Sequence, residues 1–241
     1  MDPGDRRGNG ALRAVFLDAG GTLIHLDWGF LAAALARVGI ARTRPELERA
    51  FDGARRRVGR LLTERPGSSE AERASTLWSA MLEGCGCADP RLAADVAAEV
   101  RGRDAEGRLW AHVEPGTVDA LRALRARGLT VGVVSNSDGR VATFLEAAGL
   151  SMHLDFIVDS GRVGIEKPDP RIFHVACAQA GIGPAAAVHV GDVHAIDVVG
   201  ARAAGVRPIL LAAAATDGDD CLRIASLTEL PARLSSPDLS A

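Results

Sequence analysis

Three short apolar runs of this 241-residue chain each end on a residue able to attack an electrophile, donate a hydrogen bond or ligate a metal. Residues 12–17 (LRAVFL) end at Asp18, 130–134 (TVGVV) at Ser135, and 187–190 (AVHV) at Gly191-Asp192. One Asp after a strand is weak evidence, because Asp also starts turns and caps helices. Three such ends name one site, since in an open parallel sheet the ligand crevice lies outside the carboxyl ends of the strands. Composition adds a fourth residue. Lys167 is the only Lys among the 28 basic residues, the other 27 being Arg. Where Arg fills every tolerant position, a surviving Lys marks a place where a compact ammonium on a flexible stem does what a planar guanidinium cannot. Chance survival is the alternative.

The elements that must hold these residues alternate. The three runs and a fourth, 207–211, read as buried strands, and helical patterns lie between them at 117–127, 140–148, 170–180 and 194–204. Such alternation predicts an α/β fold, a Rossmann-like parallel sheet core with helices on both faces. The stretch from 27 to 112 differs in kind. It shows no β-rich run and four helical patterns, at 28–38, 45–63, 69–83 and 89–101, broken by Arg65-Pro66-Gly67-Ser68 and Ala88-Asp89-Pro90. The expected organisation is a core at 12–26 and 113–234, a small α-helical domain at 27–112, and disordered tails at 1–11 and 235–241. Thr117, after Glu114-Pro115-Gly116, is the expected N-cap of the returning helix. There is no internal repeat.

Composition excludes several classes. An apolar share of 47 % with 24 % charged residues is that of a globular protein, not of a disordered or fibrous one. A net charge of -3 with both signs well mixed offers no patch for a nucleic-acid backbone. No run approaches the roughly 20 apolar residues of a membrane span, and MDPGDRRGNG has none of the features of a signal peptide. Cys85, Cys87, Cys177 and Cys221 lack a zinc-like spacing and read as reduced thiols of a cytoplasmic protein. Neither nucleic acid nor a membrane is an expected partner, and a monomer or homodimer is the expected state.

Taken in order, Asp18-Ala19-Gly20-Gly21-Thr22-Leu23, Val134-Ser135-Asn136, Lys167-Pro168-Asp169-Pro170 and Gly191-Asp192 followed by Asp197 resemble the four motifs of the haloacid dehalogenase-like hydrolase superfamily. The stretch Val190-Gly191-Asp192 to Ala204-Gly205 looks like the fourth-motif strand and helix of its phosphatase-type members, and the helical insert is similar to that family's four-helix cap. The resemblance covers residues 12–211 and implies a mechanism. Asp18 would be the nucleophile that accepts a phosphoryl group from a small phosphorylated metabolite. Mg²⁺ would be held by Asp18, the Gly20 carbonyl and Asp192, with Asp197 as a supporting carboxylate for the metal site, from behind these ligands or through water. Ser135, Asn136 and the turn at Gly21 and Thr22 would bind the phosphoryl oxygens, and Lys167 would bridge nucleophile and phosphate.

One position departs from that pattern. Phosphatase members carry a second Asp two residues after the nucleophile as general acid and base, and this chain has Gly20. General acid–base help is typically worth about 10²–10⁴ in rate. Replacement proton carriers could be His25, Asp27, Asp138 or His194, each with a solvated or packed role as the alternative; His174 and His189 read as core or surface residues. Dehalogenase- and phosphonatase-type siblings also lack the second Asp, as would a weakly active phospho-ligand binding protein. The intact Asp192 and Asp197 and the absence of Lys from 27–112 favour the phosphate-directed hydrolase. Arg55-Arg56-Arg57 splay over different helix faces and read as solvated. Trp28, Trp78 and Trp110 read as the small core of the insert, a stacking role for Trp28 being the alternative.

Overall fold

The computed structural model describes residues 11–65, 67–212 and 221–235, so the predicted tails lie outside the described residues except for Ala11 and Ser235. In chain order the elements are β1 (Ala14–Leu17), β2 (His25–Leu26), α1 (Trp28–Arg37), α2 (Arg44–Glu64), α3 (Glu70–Gly84), α4 (Pro90–Ala105) and β3 (Trp110–His112). There follow α5 (Thr117–Ala126), β4 (Thr130–Ser135), α6 (Val141–Ala147), β5 (Phe156–Asp159), α7 (Ser160–Val163) and α8 (Arg171–Ala180). The last are β6 (Ala187–Gly191), α9 (Val199–Ala203), β7 (Arg207–Leu211), β8 (Leu222–Ile224) and α10 (Leu230–Arg233). The chain divides into two compact units, residues 24–112 and the remainder.

The remainder is built on a parallel sheet of six described strands in the order β5-β4-β1-β6-β7-β8. This is the predicted Rossmann-like α/β class. Four runs predicted as strands are β1, β4, β6 and β7. Strand β1 sits between β4 and β6, the point where the strand order reverses, and its Leu17 is level with Val133 and Val190. The ends carrying Asp18, Ser135 and Asp192 are therefore neighbours. Side chains alternate across a strand. Ala14 and Phe16 of β1 pack with Ile172, Phe173, Ala176 and Cys177 of α8, while Val15 and Leu17 are fully buried on the other side. Helix α5 buries Thr117, Ala120, Leu121 and Leu124, spaced as one helical face.

Three expectations change. Thr117 is the first residue of α5 and not its cap; Gly116, in the left-handed conformation, takes that place. The predicted helix 194–204 begins as a wide π-type turn over His194–Val198, in which the Val199 amide reaches back five residues to the His194 carbonyl, and only then becomes α9. The stretch 27–112 is not free of strand: Trp110–His112 pair antiparallel with His25-Leu26.

That ribbon closes the second unit, which holds α1 to α4. Its helices start on capping residues the sequence displays: Asp27 accepts from the Phe30 amide, Thr43 and Ser69 form capping boxes with Glu46 and Glu72, and Asp89 precedes Pro90. Leu31, Leu35, Leu47, Phe51, Met81 and Val96 make its core, with Trp28 nearly buried and Trp78 and Trp110 packed against it. Of the arginine run, Arg55 pairs with Asp52 and Arg57 with Glu83.

Candidate active site

Asp18 follows β1 directly and keeps its place in the sheet, its amide donating to the Val190 carbonyl at 2.9 Å. The next residues turn sharply. The Leu23 amide returns to the Ala19 carbonyl at 2.8 Å, and Gly21 has φ +80°, where a side chain would be strained. Thr22 in this turn is buried, and its hydroxyl has no hydrogen-bond partner among the described residues. A buried hydroxyl left unpaired costs about 1–3 kcal/mol.

Lys167 lies under Asp18, 3 % exposed. Its Nζ donates to Asp18 Oδ1 at 2.8 Å and to Asp197 Oδ1 at 2.7 Å. Asp197 is delivered by the π-type turn after β6 and is engaged at both oxygens. Besides Lys167, Oδ1 accepts from His189 Nε2 at 3.0 Å, and Oδ2 accepts from the Val193 amide at 3.0 Å. Gly191 is what lets it in, since a Cβ there would stand 2.2 Å from Asp197 Cγ.

The electrostatics follow from burial and this pairing. Burial pushes the Asp18 carboxyl above the usual carboxylate range, with Lys167 opposing it. Burial also works against the Lys167 ammonium, but Asp18 and Asp197 outweigh that and hold its pKa above the ordinary lysine value. For Asp197 burial is overcome by Lys167 and His189, which hold the carboxyl well below its usual range. Burial lowers the His189 pKa, with the bond to Asp197 opposing it.

Asp192 completes the constellation. One oxygen each of Asp18, Asp192 and Asp197 lie within 4.8 Å of one another, a hard-oxygen donor set of the kind that takes Mg²⁺. The residues fit that ion.

The second motif serves the third. Ser135, 4 % exposed, ends β4 level with Asp159 of β5. Asn136 spends its side chain on Lys167: Nδ2 donates to the Lys167 carbonyl at 2.9 Å and Oδ1 accepts from the Lys167 amide at 2.8 Å. The side chain thus positions the lysine backbone, which leaves main-chain groups for the phosphate role expected of Asn136. Asn136→Ala is expected to lose both bonds, about 1–3 kcal/mol for two net hydrogen bonds, and turnover with them; thermal unfolding beside kinetics checks this. The following loop is stapled by Asp159, which accepts from the Gly139, Val141 and Gly161 amides.

The candidate proton carriers are placed as follows. Asp27 caps α1 and pairs with Arg103 at 2.6 Å; burial raises its carboxyl, but the Phe30 amide and Arg103 outweigh this and hold it low. Asp138 is paired with Arg140. His25 stacks edge-on against His112, and His194 opens the π-type turn. His174 lies near the Ala204 carbonyl. His189, read from sequence as core or surface, is fully buried and bonded to Asp197. Its signal was a polar residue in an otherwise apolar strand, three places before Asp192.

A model of the haloacid dehalogenase-like hydrolases matches residues 12–205. The chain belongs to that family. Among relatives of this hydrolase, haloacid dehalogenase-like hydrolase domain-containing protein 3 of Bos taurus is 40 % identical over 127 residues, 53 % of this chain and 50 % of its own length. The match thus spans about half of that relative. The protein of the same name from Danio rerio is 31 % identical over 209 residues, 82 % of this chain and 85 % of its own. A HAD-hydrolase of Bacillus subtilis superposes with TM-score 0.68 at 18 % identity over 94 % of this chain and 100 % of its own, which shows the shared fold. Among the described residues of this hydrolase no helix is long and apolar enough to cross a membrane.

Proposed function

We propose that this hydrolase cleaves a small organic phosphate monoester through a phosphoryl group carried on Asp18, with Mg²⁺ as cofactor. The observation that carries the reading is Lys167, an ammonium buried between Asp18 and Asp197 beside a cluster of three carboxylates. Such a site concentrates negative charge and then prepares it for an anionic guest. Two phosphatases add support from the sequence side. Phosphoserine phosphatase of Thermus thermophilus is 42 % identical over 90 residues, 37 % of this chain and 36 % of its own length. A phosphoglycolate phosphatase of Cupriavidus necator is 36 % identical over 146 residues, 57 % and 62 % of the two chains.

Asp18, Asp192 and the Gly20 carbonyl would hold the ion, and Asp197, occupied by three donors, would support them by holding Lys167. Mg²⁺ supplies positive charge that lets a carboxylate and a phosphate approach. The chain's own residues do the rest. An Asp18 oxygen forms a bond to phosphorus as the ester P–O bond breaks, and the leaving alkoxide takes a proton from solvent. Water then forms the new P–O bond while the bond to Asp18 breaks, its proton going to solvent. Lys167 uses two of its three donors on carboxylates, so the third is available to a phosphoryl oxygen. Ser135, Thr22 and the amides of the Gly20-Gly21 turn would bind the others.

The first experiment is turnover of p-nitrophenyl phosphate with and without Mg²⁺, because phenolate leaves without an acid. Metal-dependent turnover is the expected result; none, with the ion bound, would transfer the case to dehalogenase-type chemistry or to a phospho-ligand binding protein, the reading Gly20 favours. Gly20→Asp restores the missing proton carrier. It is expected to raise hydrolysis of alkyl phosphates by up to about 10²–10⁴ and p-nitrophenyl phosphate far less. An unchanged alkyl rate would mean that another group already handles the proton.

A further inference from the structure

We propose that His189 is a positioning residue, whose Nε2–H locks the Asp197 carboxylate in the orientation that tethers the Lys167 ammonium against Asp18. Its kinetic consequence rests on the phosphatase reading; the tether itself rests on geometry.

His189 stands at the middle of β6, level with Phe16 and Pro208 on the neighbouring strands, and is fully buried. Its ring meets Phe173 edge-on with centroids 4.9 Å apart. Nε2 lies 3.0 Å from Asp197 Oδ1, while Nδ1 is buried with no partner among the described residues. A leucine would occupy this space without an unpaired nitrogen, whose burial costs about 1–3 kcal/mol. The imidazole therefore does something apolar packing cannot. It brings a second donor to the oxygen that Lys167 also uses, which a leucine cannot do.

The hold on Asp197 has three parts. Val193 fixes Oδ2, the missing Cβ of Gly191 leaves room for the carboxylate, and His189 fixes Oδ1. Without His189, Oδ1 would be held by the flexible Lys167 side chain alone, and the Val193 amide on Oδ2 would be the one main-chain bond resisting rotation about Cβ–Cγ. Lys167, on a stem of freely turning methylenes, would then follow whichever oxygen turned toward it. A lysine that must face an incoming phosphoryl oxygen is the group least able to tolerate such latitude.

The single lysine makes the test clean. Protein labelled with nitrogen-15 only at lysine gives one side-chain ammonium signal, that of Lys167, and a buried, doubly bonded ammonium exchanges slowly enough to be seen. Two variants differ in where an amide donor sits: Gln places its nitrogen near imidazole Nε2, Asn near Nδ1. His189→Gln is expected to keep the signal and most of the turnover. His189→Asn is expected to lose or displace the signal and to lower kcat on p-nitrophenyl phosphate by about 10–100-fold, the usual scale for a group behind a catalytic one, with KM little changed. A wild-type ammonium exchanging like free lysine would overturn the proposal whatever the variants do. So would His189→Asn with the wild-type signal, or His189→Gln no better than His189→Asn. If the wild type fails to turn over, the phosphatase reading fails alone, and the ammonium signal still decides the tether.

Discussion

Lys167→Met is expected to abolish turnover and to lower Tm by roughly 6–20 °C, the equivalent of about 3–5 kcal/mol in a chain of this size. The side chain is replaced by one of similar length and greater hydrophobicity, so packing alone would predict little change. The loss comes from what remains. Asp18 and Asp197 would share a buried site with no cation between them, and breaking a buried pair costs far more than the pair contributes when intact. The pH dependence distinguishes this cause from a packing defect. In the wild type, lysine holds Asp197 below the usual carboxylate range, so its contribution is present above the unfolded-state pKa and is lost only in strong acid. In the variant both carboxyls rise, the folded state binds protons more tightly than the unfolded one, and stability falls as pH increases. The gap in Tm between the two proteins should therefore widen from acid to neutral pH. Adding Asp197→Asn should recover part of the stability and none of the turnover, a non-additive pair as expected of groups in contact. A gap independent of pH would refute the electrostatic account.

Counting singled out Lys167, because an Arg-rich composition made its one Lys conspicuous, and the structure buries it between Asp18 and Asp197. The strands β1, β4 and β6 were legible because each is an apolar run closed by a polar residue, the shape a strand buried on both faces must have. Strand β5 is only half-buried at Phe156 and Ile157, follows Asp155 and ends on Asp159, and that polar frame hid it. Strand β8 and the β2–β3 ribbon are two or three residues long, too short for any period to show. The role of Asn136 was hidden for a different reason. Sequence shows that an amide follows Ser135; only the packed structure shows that it turns toward the Lys167 backbone, 31 residues away. His189 was hidden similarly, since its partner is supplied by a π-type turn that reads as ordinary helix.

Asp18→Asn is expected to reduce turnover by about 10⁴–10⁶, the scale of losing a nucleophile, while leaving the fold intact or firmer. The two halves of that result have one origin. Asparagine keeps the shape and an oxygen for Lys167 to approach, but its amide cannot form the bond to phosphorus. Its neutrality also removes a charge that burial opposes. The Asp18 carboxyl is pushed above its unfolded value, so its protonated form is favoured in the folded state and stability is lost as pH rises through the folded pKa. Relative to wild type, Asp18→Asn should thus gain Tm as pH goes from acid to neutral, with Lys167 still paired to Asp197. On the proposed reading, added Mg²⁺ separates the nucleophile from the ion's other holders. Asp192→Asn weakens a ligand and should be rescued in part by excess ion; Asp18→Asn should stay inactive at any concentration. Equal rescue of both variants would mean that Asp18 only binds metal, and the phosphoryl group would then have to pass directly to water.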